Sequence, residues 1–329
     1  MRRALLLALA AACGGHGPTA PAAPTAPVVA DRRPLELIVD GQWLGDGICY
    51  GPHRDGQRPG GADPTTDQLR EDLTLLAPRW RLLRIYSADD LAGRLLELIR
   101  TERPRLRVLL GAWISGDPAA DQRQVDAAIA LANAYPDVVI AVVVGNETQV
   151  SWSDHKVDQA VLIDRIRAVR RQTKVAVATA DDFGFWLGPD SDRLAAELDV
   201  AVLHVHPMWN GQALAQAVAF TRDRRADVIA RHPGLPIFLG ETGWATAVAG
   251  TGEQARLIKG EASDAAQAGF FAELTAWTTA ARVPVTYFEA FDETWKGGPA
   301  PDEVEKHWGL FRADRTAKPA LPAMVTPAR

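Results

Sequence analysis

Two glutamates stand at the points where long apolar runs stop. Glu147 closes VVIAVVVGNE over 138–147, and Glu241 follows the apolar part of LPIFLGETGW over 235–244. Runs this rich in Val, Ile and Leu suit strands buried on both faces, as in parallel sheets. Each run breaks at a glycine and then presents a carboxylate to a loop. A carboxyl group can give up a proton, take one, or attack a carbon. Two of them across a sugar-sized cleft supply what glycosidic cleavage needs: an acid for the departing oxygen, and a nucleophile or base on the other face of the ring. The plain alternative makes one glutamate a surface loop residue; the shared glycine-then-glutamate placement argues against it.

Such a pair converges only if the strands carrying it are held side by side. Eight strand candidates follow the leader, at 45–51, 82–87, 107–114, 138–147, 174–181, 198–206, 235–244 and 283–292. Helical segments separate them: 65–76, 91–100, 124–134, 155–171, a weak one at 192–197, then 213–231 and 262–281. The stripe Leu91, Leu95, Leu98, Ile99 marks one buried helix face, and Asp63 or Thr65 is placed to cap the first helix. Alternation of this kind predicts parallel βαβ units and an α/β fold, a single (β/α)8 (TIM) barrel. The eighth helix is poorly marked, because the tail after Arg315 is rich in Pro and Ala. A doubly wound open sheet would want a glycine-rich phosphate turn after its first strand, and Gly-Pro-His-Arg-Asp-Gly from Gly51 lacks that spacing. In a closed barrel the fourth and seventh strands face each other across the mouth, so Glu147 and Glu241 can meet.

Other residues near strand ends could bind rather than react. Ten tryptophans are present, and Trp113, Trp152, Trp209, Trp244 and Trp295 follow strand candidates. Their flat apolar faces suit stacking on sugar rings, and packing is the alternative use. His204-Val205-His206 puts two imidazoles on one face of the sixth strand. No third ligand with local spacing accompanies them, so no metal or cofactor is expected. His206 is read as lining the cleft beside Trp209, and His204 as a satisfied core residue. Asp181-Asp182 could bind sugar hydroxyls or cap a helix. Cys49 lies within the first strand as a small buried residue. The net charge of −5 gives no reason to expect nucleic acid, and a neutral polymer fits better.

Four motifs in order carry a resemblance. Gly47-Ile48-Cys49-Tyr50-Gly51, Gly145-Asn146-Glu147, Gly240-Glu241-Thr242-Gly243-Trp244, and Phe291-Asp292-Glu293-Thr294-Trp295-Lys296 followed by Glu305-Lys306-His307-Trp308-Gly309-Leu310-Phe311 resemble glycoside hydrolase family 17, the β-1,3-glucanase and glucanosyltransferase family. The resemblance runs from Gly45 to Leu321. It implies a retaining double displacement on β-glucan polysaccharide or oligosaccharide, without metal; the chain is expected to be a monomer. Glu147 would be the acid/base and Glu241 the nucleophile. Tyr50, Tyr86, Asn146, His206, Trp209, Trp244, Glu293, Lys296 and Glu305 are the candidate sugar contacts. Asn146 would bond the 2-hydroxyl, and Lys296 would keep Glu241 ionised while Glu293 and Glu305 balance its charge. His206-Pro207-Met208-Trp209 departs from the family's more usual Tyr-Pro segment. A sugar acceptor in place of water would use the same residues. A glucan-binding envelope protein without turnover is the other class, and the intact glutamate pair argues against it.

The first residues are read as targeting, not fold. Arg2 and Arg3 precede an apolar run that ends Ala10-Ala11-Ala12-Cys13, similar to the lipobox of bacterial lipoproteins. Residues 1–13 are therefore expected to be a signal peptide with Cys13 as the lipid-anchored residue, residues 14–40 a Pro/Ala-rich linker, and 41–329 the catalytic domain. An ordinary secretory signal is the alternative. Either way the chain is expected to be exported, to the envelope or beyond.

Overall fold

The structure, a computed structural model, describes residues 31–321. The expected leader with Cys13, and the linker as far as residue 30, lie outside the described residues. No helix among those described is long and apolar enough to cross a membrane.

The chain forms the closed eight-stranded barrel its alternation predicts. The strands are β1 (Asp46–Cys49), β2 (Leu82–Ile85), β3 (Arg107–Ala112), β4 (Val139–Asn146), β5 (Ala176–Asp182), β6 (Val200–His204), β7 (Ile237–Thr242) and β8 (Val285–Tyr287). All neighbours pair in parallel, and β8 closes back on β1 through Thr286 opposite Gly47. β8 is shorter than its apolar run: beyond Tyr287 only single bonds, from Phe288 N–H to the Thr242 carbonyl and from Ala290 N–H to the Cys49 carbonyl, continue it, and Phe291 bridges to Phe311 of the C-terminal segment.

Helices wrap the outside: α1 (Thr66–Leu76), α2 (Asp90–Glu102), α3 (Pro118–Ala134), α4 (Gln159–Gln172), α5 (Phe183–Leu187), α6 (Ser191–Ala195), α7 (Leu214–Arg231), α8 (Gly252–Leu257) and α9 (Asp264–Ala281). Their starts follow capping chemistry. Thr65 caps α1 in a reciprocal box with Gln68, while Asp63 takes no such part. α3 begins at Pro118, upstream of the expected 124, because Asp117 caps it and Pro118 takes the first turn, where a missing N–H costs nothing. α4 begins at Gln159 rather than 155; Asp158 caps it, and His155 turns to the mouth instead. No helix follows the 3-10 turn Val304–Lys306 among the described residues. The tail is pinned by Lys318, whose ammonium meets Asp292 at 2.8 Å inside the core.

Side chains of alternate strand positions fill the barrel interior. Leu82, Leu109, Val143, Val200, Val202 and Phe238 share it with the small Ala176, Ala178 and Ala180 of β5, so bulk from one side meets space on the other. Residues 31–40, expected to belong to the linker, close the floor instead. Leu35 and Leu37 pack on the interior cluster, and Ile38–Val39 pairs with Gln42–Trp43. Arg33 bonds the carbonyls of Val175 and Arg170, and its N–H reaches Asp199. The packed domain thus begins before residue 41, because two leucines and an arginine find partners there.

Candidate active site

Glu241 lies near the end of β7, one residue after Gly240, and that glycine has a steric reason. A Cβ there would stand 2.1 Å from Val202 Cγ1. The carboxylate is buried among three donors and one further ring nitrogen. Arg84 Nη1 lies 2.5 Å and the Tyr86 hydroxyl 2.9 Å from Oε1. His206 Nε2 lies 3.2 Å from Oε2, and His204 Nε2 3.4 Å from Oε1. Burial alone would raise the pKa of this acid; Arg84 and His206 outweigh it and hold the carboxyl well below the usual range. Arg84 also bonds Asn146 Oδ1 at 2.6 Å through Nη2, and its guanidinium lies over the Tyr86 ring.

Glu147 stands just beyond β4 in a left-handed turn, with φ +52° after Gly145 at φ +79°. Side chains other than glycine adopt such φ values at a cost, and strain of this kind collects at functional sites. Its N–H is tied to the Ala180 carbonyl at 2.8 Å. One carboxyl oxygen meets His204 Nδ1 at 2.8 Å. Among the described residues no lysine or arginine pairs with it. Burial and the nearby Glu241 charge push Glu147 up to about 8, against some opposition from His206. Asp181 beneath is also pushed up to about 8 by burial, while accepting the N–H of Gln149. Asp182 caps α5.

An oxygen of Glu147, an oxygen of Glu241 and a ring nitrogen of His206 all lie within 4.8 Å of one another. Three such ligands could grip a divalent ion, but the negative charge of Glu241 is already matched by the Arg84 guanidinium.

The third cluster departs from expectation. Lys296 does not reach Glu241. Its ammonium lies 2.7 Å from Glu289 and 2.7 Å from Glu293, both buried. The cation on Glu241 is Arg84. Glu305 takes the Trp209 indole N–H at 3.1 Å, and Glu293 takes that of Trp295 at 3.0 Å. Each carboxylate thus orients an aromatic wall.

The mouth opens as a cleft of about 1020 Å³ that holds Glu147, Glu241, Tyr86, Asn146, His206, Trp209, Glu293, Lys296 and Glu305 on its lining, with Trp113, Trp152 and Trp295. Two expected contacts fail. Trp244 is fully buried beneath the loop, its indole N–H on the Glu261 carbonyl and its ring against Phe270, so it cannot stack on a sugar. Tyr50 borders the cleft, but its hydroxyl is spent on buried Asp72 at 3.0 Å. His204 is also corrected: it is buried, yet it lies between the two glutamates, because Val200 and Val202 set an inward parity that His204 continues at the strand's upper end. Sequence reasoning missed Arg84 and Glu289. The signal for Arg84 was available, an arginine inside Leu82-Leu83-Arg84-Ile85 on the parity of inward Leu82.

Residues 47–309 match the BtgE/BtgC glycoside hydrolase domain family. The chain belongs to this family. A glucan 1,3-beta-glucosidase of Arthroderma benhamiae is 29% identical over 80% of this chain and 86% of its own. Among solved structures, an endo-laminarinase from Formosa superposes with a TM-score of 0.73 at 26% identity, covering 83% of this chain and 86% of that one. A glycoside hydrolase family 17 beta-1,3-glucanosyltransferase from Rhizomucor miehei gives 0.69 at 25% identity over 84% and 96%.

Proposed function

We propose that this glycoside hydrolase cleaves β-1,3-glucosidic linkages of glucan by retaining double displacement, with Glu241 as nucleophile and Glu147 as acid/base. One observation carries the reading: two carboxyl oxygens within 4.8 Å of each other, one group held ionised and the other held protonated. Retaining enzymes keep their carboxyls about 5–5.5 Å apart, whereas inverting ones leave about 6.5–9.5 Å for a water. The names of the relatives support the linkage, and the aromatic cleft supports a neutral sugar.

In the first step Glu147 protonates the glycosidic oxygen as a Glu241 oxygen bonds the anomeric carbon and the C–O bond breaks. In the second, Glu147 takes a proton from water, whose oxygen displaces Glu241. Asn146 remains the candidate for the 2-hydroxyl, since Arg84 fixes its Oδ1 and leaves the amide N–H groups to donate. A sugar hydroxyl in place of water would give transfer, as the Rhizomucor neighbour's name describes for that protein.

Laminari-oligosaccharides followed by proton NMR test this directly. A β-configured hemiacetal as the first product supports retention; an α-configured one defeats it. Shorter products mean hydrolysis, longer ones transfer, and no products leave only binding. Export through the N-terminal segment is a further part of the proposal. Cys13→Ser should release the protein from the membrane fraction, and unchanged fractionation would point to a secretory signal.

A further inference from the structure

The two catalytic candidates share a neighbour that the mechanism above does not use. His204 ends β6 fully buried, with Nδ1 2.8 Å from Glu147 Oε1. Its Nε2 points toward Glu241 at 3.4 Å but has no hydrogen-bond partner. Glu241 Oε1 does not need it, since that oxygen already accepts from Arg84 and Tyr86. A buried N–H without an acceptor costs more than a buried lone pair at the same place, so the single proton of a neutral imidazole belongs on Nδ1.

We infer that His204 is a positioning residue for the proton of Glu147: its Nδ1–H donates to Oε1, which leaves Oε2 to carry the acid proton toward the leaving oxygen. This rests on Glu147 being the acid/base. The ring stays neutral because burial and Arg84 push its pKa down to about 3, despite the Glu241 charge. It therefore cannot act as the acid itself. The groups facing it are Glu147 from β4, Glu241 from β7, Arg84 and Tyr86 around β2, Asp182 at the end of β5, and His206 two residues on. None of the others donates to Oε1 of Glu147.

One tautomer then serves the whole cycle. In the first step Nδ1–H meets the carbonyl oxygen of a neutral carboxyl. Once Glu147 has given up its proton, the same N–H meets a carboxylate, and the bond strengthens as charge appears on its acceptor. His204 thereby opposes burial and keeps Glu147 acidic enough to release the proton and to act as base afterwards.

Three measurements test this. His204→Leu should move the alkaline limb of kcat/KM upward by about one pH unit, the scale of one lost hydrogen bond to a charged group. It should also slow the second step, so that activated aryl β-glucosides show a burst of released phenol. His204→Asn, whose amide can stand where Nδ1 stood, should restore the limb. An unmoved limb in His204→Leu, or a downward shift, overturns the inference. The third measurement needs no variant. Nitrogen-15 NMR of labelled histidines in the wild-type protein should find His204 neutral and protonated on Nδ1; protonation on Nε2 overturns the inference even if His204→Leu does not fold. Absence of turnover on any β-glucan would defeat the functional reading while leaving the tautomer result standing.

Discussion

Glu241 and Glu147 approach within 4.8 Å, yet their surroundings differ in kind. Glu241 sits in a ring of donors: a guanidinium, a phenol and the His206 imidazole. Glu147 is hydrogen-bonded by one imidazole, has a second, His206, nearby and Glu241 as an acidic neighbour, and it occupies a strained turn. The same residue type takes opposite protonation states because one site supplies positive charge and the other combines burial with a neighbouring negative charge. The barrel delivers the two environments from different strands, with β2 serving one and β4 left to burial.

The comparison breaks most severely if the donors are left without an acceptor. Glu241→Ala should lower turnover by about four orders of magnitude or more, as removal of a nucleophile does. Azide should partly restore it through an α-linked glucosyl azide. Normal activity in this variant, or a β-linked adduct, would dethrone Glu241.

Arg84→Met attacks the same side less completely. It should cost about 10²–10³-fold in kcat/KM, the scale of one preorganised electrostatic partner. Removing one member of a buried pair should also destabilise the fold by about 3–5 kcal/mol. The acid limb of the pH profile should rise, since the guanidinium no longer favours the ionised form. A limb that stays in place would show that His206 alone keeps Glu241 charged.

On the other side, Glu147→Gln should cost about 10²–10⁴-fold on substrates with poor leaving groups and far less on activated aryl glycosides. In the wild type, kcat/KM should fall as pH rises through about 8, where Glu147 loses its proton. Stability gives a separate handle. With the native carboxyl near 8 and the unfolded one near 4.5, the folded chain holds a proton that the unfolded chain releases, so stability declines as pH rises between these values. Glu147→Gln removes that dependence. Its gain in Tm over wild type should therefore grow from pH 5 to pH 8; a constant difference would refute the raised pKa.

The smallest effects separate wall from foundation. Trp209→Ala should weaken oligosaccharide binding by about 1–2 kcal/mol, roughly ten-fold, at nearly constant stability. Trp244→Ala should do the reverse, costing about 3–5 kcal/mol of stability through its lost core contacts. Calorimetry and thermal melts on both variants distinguish them, and an affinity loss confined to Trp244→Ala would reverse the assignment.

The barrel was legible because strand and helix periods alternate so regularly, and because Glu147 and Glu241 interrupt apolar runs at matching places. Legibility ended where a side chain's partner is distant in sequence. Arg84 pairs with Glu241 across 157 positions; its inward parity was readable, but its partner was not. Lys296 looked available for Glu241, but it is captured by Glu289 and Glu293 within seven residues of itself. Trp244 follows the nucleophile candidate by three residues, yet the chain turns under the sheet there and the Glu261 carbonyl takes its indole. Proximity along a chain does not choose which side of a loop a ring occupies. His204 shows the same limit: its parity was readable, but its height at the rim was not.

The floor of the barrel gives the molecule a mounting direction. Arg32 clamps the Gly234 carbonyl and Arg33 those of Val175 and Arg170, all on the face where strands begin. The carboxylates open on the face where strands end. Force applied through residues upstream of Asp31 would therefore enter at the pole opposite the cleft and be borne by those arginine clamps before it reached any strand. An enzyme held by that end would aim its mouth away from its attachment, free to meet a polymer too large to pass beneath it.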